Sequence, residues 1–363
     1  MKRRVDDEAP PESDAFEATP HPRHVYDFFG HQEVEQDLLD AYRTGRLPQS
    51  IILAGPEGIG KATLAWRFAR FLFAHPEPGL PAVHHATSLA VAQDHAVCHR
   101  LESLGHGDLS LLRREWNADT KKHRTEIRVD DVRVAIEMFH QASAEGGWRI
   151  CIVDAADDLN RNSANALLKI IEEPPDRSLF IFVSHLPGRI LPTIRSRSRL
   201  VRMQPLDVDD VARAILALGE DFEGQGARIR EAAELSEGSV RQTIRLLDSE
   251  GQALSNEIEN VLQALPRVDW SAVHRLSDRV SGSTPTALDD FAATIEAIQD
   301  WLAAQVRVGA AAGLGAANLA PYAQVWDKVA AAVRETEAIN LDKRPLILTI
   351  FADLAAAVSA ARP

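Results

Sequence analysis

Short apolar runs and longer stretches with a step of three and four alternate along the first two hundred residues. Residues 50–54 (SIILA) are a continuous apolar run closed by Gly55. Residues 149–153 end the same way at Asp154, and residues 179–183 form a third run. Residues 108–113 and 200–203 are weaker versions of the pattern. Runs this short, without polar alternation, predict parallel strands buried on both faces. Between them, residues 33–43, 61–74, 129–144 and 163–172 predict helices. Val132, Ile136 and Phe139 share one face of the third, and Pro174-Pro175 stops the fourth. Strands alternating with helices predict an α/β domain with a parallel sheet covered on both sides. From about Asp207 the strand signal ceases. Residues 207–248 predict a few short helices. Residues 255–363 are Ala-rich and helical, and Leu288, Phe291, Ile295, Ile298 and Leu302 form one apolar stripe. Such a stripe packs in a local bundle or serves as a subunit interface. Residues 1–23, rich in Pro, Asp, Glu and Arg without apolar periodicity, predict a mobile tail. Residues 76–107 read as irregular. The expected division is a tail over 1–23, an α/β domain over 24–205, a small helical domain over 206–250 and an all-α domain over 251–363.

Composition narrows the class. The chain has 363 residues and is 45% apolar, which fits two or three globular domains and excludes a disordered chain. No stretch reaches the ~18 uninterrupted apolar residues that span a bilayer. The opening MKRRVDDEAPPESD has no apolar core and does not read as a secretory signal. Two cysteines, Cys98 and Cys151, cannot build a disulfide framework, so the expected location is a reducing cytoplasm. The net charge is 40 − 53 = −13, which argues against a chain that holds nucleic acid alone by neutralising phosphates.

The main chemical signal is Gly55-Pro56-Glu57-Gly58-Ile59-Gly60-Lys61-Ala62-Thr63, between a predicted strand and a predicted helix. This is the setting of a P-loop. Gly55, Gly58 and Gly60 let backbone N–H groups approach phosphate oxygens, the helix N-terminus adds partial positive charge, and Lys61 would reach the β and γ phosphates. The residue after that lysine should be Ser or Thr to hold Mg²⁺, and here it is Ala62. Thr63 lies about 100° further round the helix and is no simple replacement.

The run Arg149-Ile150-Cys151-Ile152-Val153-Asp154 has the form of a Walker B strand, with Asp154 facing the metal. Many P-loop ATPases place Glu next, to activate water, and here the residue is Ala155. Two catalytic parts are therefore missing, each worth orders of magnitude in rate. The chain is expected to hydrolyse ATP poorly or not at all. The surviving cradle and Lys61 leave ATP binding open, and the missing hydroxyl speaks against Mg²⁺.

Further on lies Leu191-Pro192-Thr193-Ile194-Arg195-Ser196-Arg197-Ser198-Arg199. Earlier come Gly30-His31-Gln32, Ile127-Arg128-Val129-Asp130-Asp131-Val132-Arg133, Asp154-Ala155-Ala156-Asp157 and the run from Asn165 to Pro175 with its Leu167-Leu168-Lys169 and Glu172-Glu173-Pro174-Pro175. Gly238-Ser239-Val240-Arg241 follows them. With these motifs in this order, the chain resembles the clamp-loader branch of the AAA+ ATPases, most closely the delta-prime subunits of bacterial DNA polymerase III. The likeness covers residues 25–245, and the helical C-terminal third fits only in kind. It implies a P-loop AAA+ domain, a helical lid and a collar of helices. It implies that Arg197 is an arginine finger presented to ATP on a neighbouring subunit, with Ser198 where Cys is usual. It implies that Arg241 is the lid arginine directed at the γ phosphate, and that Ser184 sits near the polar sensor position at the end of its strand.

The resemblance also implies partners: the gamma/tau ATPase and delta subunits, and through the complex the sliding clamp and primed DNA. The family's Cys-rich zinc module corresponds here to Asp94-His95-Ala96-Val97-Cys98-His99-Arg100 and His106. One cysteine survives, and the irregular spacing of His95, Cys98, His99 and His106 does not favour zinc. The leading function is a non-motor clamp-loader subunit. The alternative is a self-sufficient motor ATPase of the gamma/tau kind, against which Ala62 and Ala155 both speak. A nucleotide-sensing adaptor outside replication is a third, weaker reading.

Overall fold

The computed structural model describes residues 11–16, 19–120, 122–219, 222–282, 285–338 and 341–361. The strands are β1 (Ser50–Ala54), β2 (Leu109–Leu112), β3 (Trp116–Asn117), β4 (Lys122–His123), β5 (Arg149–Asp154), β6 (Ser178–Ser184) and β7 (Arg199–Arg202). Helices α1 (Gln32–Arg43), α2 (Lys61–Ala74), α3 (Pro81–His85), α4 (Ala96–Glu102), α5 (Val129–His140), α6 (Arg161–Glu172) and α7 (Pro192–Arg195) are interleaved with them. The helices α8 (Val208–Leu216), α9 (Gly226–Leu235), α10 (Val240–Leu247), α11 (Ser249–Gln263), α12 (Trp270–Val280), α13 (Pro285–Ala311), α14 (Ala316–Ala338) and α15 (Lys343–Ala361) follow.

The main sheet has the order β2-β5-β6-β1-β7, and its pairings are parallel. All five residues of β1 and all seven of β6 are buried, as strands covered on both faces must be. Successive side chains of a strand point to opposite faces. Ile51, Leu53, Ile150, Ile152, Ile181 and Val183 join one core with α1 and α2. Ile52, Cys151, Val153, Phe180 and Phe182 join another with α5 and α6. Phe139 of α5 stacks on Phe180 with ring centroids 4.5 Å apart. The expected α/β sheet is therefore present, with each of the five predicted strands in it.

Three local expectations change. Helix α5 stops at His140 rather than reaching residue 144, and Gln141 is already extended. The segment read as irregular contains α3 and α4. Residues 11–16 and 19–23, expected within a mobile tail, make specific contacts. Glu12 pairs with Arg23 (2.6 Å) and Arg113 (2.7 Å), and Asp14 pairs with Arg113 and His21. Charge complementarity to Arg113, far away in sequence, supplies what apolar periodicity would otherwise have supplied. The rest of the expected tail, residues 1–10 and 17–18, lies outside the described residues.

The chain divides into two compact units, residues 1–244 and 245–363. The second has its own core. Phe291, Ile295, Ile298 and Leu302 of α13 enter it with Leu346, Ile347, Ile350, Phe351 and Leu354 of α15. The apolar stripe of α13 thus packs locally. By length and composition α15 is apolar enough to cross a membrane, yet those same residues are buried in this bundle core.

Candidate functional site

The loop of residues 55–60 links the end of β1 to the start of α2. Gly58 (φ +75°) and Gly60 (φ +92°) adopt the left-handed backbone that glycine tolerates best. Gly58 has a second constraint, because a Cβ there would collide with Ser239 Oγ and the Arg241 side chain. A Cβ on Gly55 would meet the Met203 carbonyl and Ile59. Gly30 and His31, just before α1, brace the same region. The His31 imidazole Nε2 lies 2.9 Å from the Ile59 carbonyl, and a Cβ on Gly30 would strike Leu206. Burial pushes the His31 pKa down.

Lys61 opens α2 and is buried, with 3% of its surface exposed. Its Nζ donates to the Gly55 carbonyl at 2.7 Å and to the Pro56 carbonyl. Burial pulls its pKa down to about 8. Ala62 offers no donor atom, and Thr63 follows it half-buried on the helix. Asp154, at the end of β5, is buried, and burial, reinforced by the charge of Asp14, pushes its pKa up to about 8. The site therefore fits a phosphate in its loop backbone and its lysine. Position 62 offers no side-chain oxygen to a Mg²⁺ ion.

Ser184 ends β6 fully buried, and its Oγ donates to Asp157 at 2.8 Å. Asp157 also accepts from the backbone N–H groups of His185 (2.7 Å) and Leu186 (3.2 Å). Sequence reasoning did not assign a role to Asp157 or His185. The only signal for Asp157 was its place in the Asp-Ala-Ala-Asp motif. The half-buried His185 ring has Glu57, Lys61, Asp157 and Arg241 as charged neighbours, and desolvation pushes its pKa down.

Arg241 lies near the start of α10 and pairs with Glu57 of the loop. Ser239 Oγ donates to the Glu57 carbonyl at 3.0 Å, and the Val240 N–H donates to the Gly58 carbonyl at 2.9 Å. The segment before α10 is thus stitched to the phosphate loop. Phe16 covers the outer face of this contact, with the Arg241 guanidinium 5.0 Å from its ring centroid. Gly55, Gly58, Gly60, Lys61, Asp154, Ser184 and Arg241 are brought to one end of the sheet.

Arg197 is elsewhere. It follows α7 and precedes β7, on the edge of the sheet. In the parallel register Ile51 is opposite Arg199 and Ala54 opposite Arg202, so Arg199 lies at the end of β1 remote from the phosphate loop. Those three residue steps of strand span ~10 Å, and Arg197 is two residues further back. Arg197 Nη2 pairs with Glu172 of α6 at 2.7 Å, and Nη1 donates to the Thr193 carbonyl at 2.9 Å. The Arg197 side chain is 39% exposed. Ser198 Oγ donates to the Ile194 carbonyl and accepts from Ser50 Oγ at 2.6 Å.

The four residues weighed as zinc ligands go to separate tasks. His95 caps α4 by accepting from the Val97 N–H, and buried Cys98 donates to the Ala92 carbonyl. His99 is exposed, and His106 stacks on Phe73 with centroids 3.9 Å apart. Among the described residues no group of three or more His, Cys, Asp or Glu side chains could hold a metal.

The sequence model of the family described as DNA polymerase III, delta subunit matches residues 30–207, which contain the loop, Asp154 and Arg197. The DNA polymerase III subunit delta' of Pseudomonas aeruginosa is 35% identical over 146 residues, covering 40% of each protein. The delta' subunit of Escherichia coli is 26% identical over 236 residues, 65% of this chain and 65% of that protein. The tau/gamma subunit of Haemophilus influenzae is 24% identical over 252 residues, 67% of this chain and 34% of that protein. The chain spans about a third to two fifths of the length of the first relatives it matches. A solved gamma subunit-related protein of Thermotoga maritima superposes with a TM-score of 0.38 at 16% identity, over 90% of this chain and 100% of that one. So loose a superposition adds nothing to the strand order itself. The relatives matched in sequence converge on one assembly, DNA polymerase III, and the chain is similar in sequence to its clamp-loader subunits, delta' among them.

Proposed function

We propose that this chain is a delta'-like, non-motor subunit of a bacterial DNA polymerase III clamp loader. It presents Arg197 to ATP bound on an adjacent gamma/tau-type subunit, and the complex, with a delta subunit, places the sliding clamp on primed DNA. The observation that carries this reading is the position of Arg197. It is an exposed guanidinium at the strand ends remote from its own phosphate loop, so it serves a phosphate only if another chain brings one. Chemically, such an arginine stabilises charge on the transferring phosphoryl group, an effect worth ~10³–10⁵ in rate. Glu172 holds it until the neighbour docks. Residues 24–205 are the AAA+ domain, 206–250 the lid and 251–363 the collar that joins the subunits. The chain works in the cytoplasm and contributes to polymerisation only within the holoenzyme.

The motor reading has the tau/gamma matches in its favour, yet Ala62 and Ala155 remove the metal hydroxyl and the water-activating carboxylate. Turnover of ATP by the purified chain alone would revive it. The direct test is Arg197→Ala in a reconstituted complex with gamma/tau and delta subunits. Assembly and folding should be unchanged, and clamp-stimulated ATPase and loading should fall at least ~10-fold. Wild-type rates in that mutant complex would remove the finger from Arg197.

A further inference from the structure

Three groups around the phosphate loop that would face a nucleotide, Lys61, Ser184 and Arg241, have partners within the chain. Lys61 Nζ is folded back on the carbonyls of Gly55 and Pro56. Ser184 is tied to Asp157. Arg241, the cation closest to the loop from the helical side, is paired with Glu57, which belongs to the loop itself. Ser239 and Val240 fasten the adjoining backbone to Glu57 and Gly58. The residues ahead of α1 complete the enclosure. Phe16 lies over the Arg241 guanidinium, while Asp14, two residues earlier, has a side chain only 1% exposed and is clamped by Arg113 just past β2. Since β2 neighbours β5, the segment runs from the Asp154 side of the loop to the Arg241 side. Glu12 adds pairs to Arg23 and Arg113.

We propose that this chain closes its own nucleotide cradle: Glu57 supplies the anion that Arg241 would otherwise meet on a bound phosphate, and residues 11–16 form a strap across that pair. The helical segment carrying Arg241 is then docked on the loop without nucleotide. A nucleotide gains entry only by breaking the Glu57–Arg241 pair and lifting the strap. The inference concerns this chain's own cradle and does not depend on the role given to Arg197. An equilibrium that keeps the open form rare weakens apparent affinity by the fraction open. Removing one partly exposed ion pair should therefore raise affinity about fivefold, and removing the strap as well should raise it further.

The test is binding of a fluorescent ATP analogue to the full-length chain, read by anisotropy with and without Mg²⁺. The variants are Glu57→Gln, a strap variant combining Asp14→Asn with Phe16→Ala, and both together. Each is checked for an unchanged circular dichroism spectrum. Wild type should bind weakly. Each variant should bind about fivefold or more tighter, and Lys61→Ala added to Glu57→Gln should abolish the gain. Hydrogen exchange over residues 236–244 should also quicken in Glu57→Gln without nucleotide. Because the strap variant leaves the loop sequence intact, it decides the matter if Glu57→Gln fails to fold. Equal or weaker affinity in the folded variants, or tight binding by wild type, overturns the proposal. Neither result bears on the Arg197 test, which reads ATP hydrolysis on a neighbouring subunit.

Discussion

At the scale of single residues, the phosphate loop and the Asp ending β5 are readable from the order of residues alone, because a glycine-spaced turn with Lys before a helix and a carboxylate closing an apolar run stand out at such positions. Their bonding is not readable. Asp154 closes the apolar run and so draws attention, yet the structure buries it with a raised pKa. The 3-10 turn of residues Ala156–Asp158 swings Asp157 toward β6, where it accepts from Ser184, His185 and Leu186. A carboxylate three residues past a strand has no periodicity to give it away. Its weight is testable. Asp157→Ala strands two backbone N–H groups and one hydroxyl, and should cost about 2–3 kcal/mol of unfolding free energy. Asp157→Asn, which keeps one acceptor oxygen, should cost about half as much. The measure is the urea midpoint at constant m-value. A change within ~0.5 kcal/mol for Asp157→Ala would show that water replaces the lost bonds.

At the scale of elements, β1, β5 and β6 are legible because each is a continuous buried apolar run, β2 and β7 as weaker versions of it, and the long helices because their apolar faces repeat. The β3–β4 ribbon pairs only two residues on each side, and α3 has five, too few for any period to develop. The segment at residues 11–16 fails for another reason. Its composition is that of a solvated tail, and its order comes from Arg113, whose sequence separation from Glu12 and Asp14 is about 100 residues. Burial raises the pKa of both carboxyls, but for Glu12 the hydrogen bonds and charges of Arg23 and Arg113, and for Asp14 those of His21 and Arg113, outweigh it. The net effect is below the ordinary value for each. A depressed folded pKa contributes stability above the unfolded value and loses it as pH falls through the folded one. The strap should therefore stay anchored at neutral pH and loosen only as pH falls through the lowered folded values, below the ordinary carboxylate range. Proteolysis by pepsin, active at acid pH, should cut residues 11–23 at pH 3 and spare them at pH 5. Arg113→Ala should expose the same residues at neutral pH, read as about tenfold faster hydrogen exchange. Unchanged protection in Arg113→Ala would show that other contacts hold the segment.

At the scale of the whole molecule, two compact units, each with its own packing, set how damage is distributed. Phe351 is fully buried in the second, so Phe351→Ala should destabilise residues 245–363 by about 3–5 kcal/mol, seen as faster exchange there. The charge balance speaks to function more directly. With 53 acidic against 40 basic residues, the chain repels a phosphate backbone on average, and the basic run from Arg195 to Arg199 is partly spent internally. Within that run Arg197 pairs with Glu172, and Arg199 approaches Asp37 at 3.6 Å. Non-specific DNA binding comes almost wholly from phosphate neutralisation, and its salt dependence counts the phosphates engaged. The isolated chain should therefore bind a primed duplex more weakly than ~100 μM at physiological salt, with a log–log salt slope near zero. If the proposed complex supplies the cations from its other subunits, that complex should bind far more tightly with a steep slope. Anisotropy titrations of a labelled duplex at several salt concentrations separate the cases. Micromolar binding by the chain alone with a slope of several units would mean that a local basic surface overrides the net charge, and would make this subunit a direct reader of the DNA backbone.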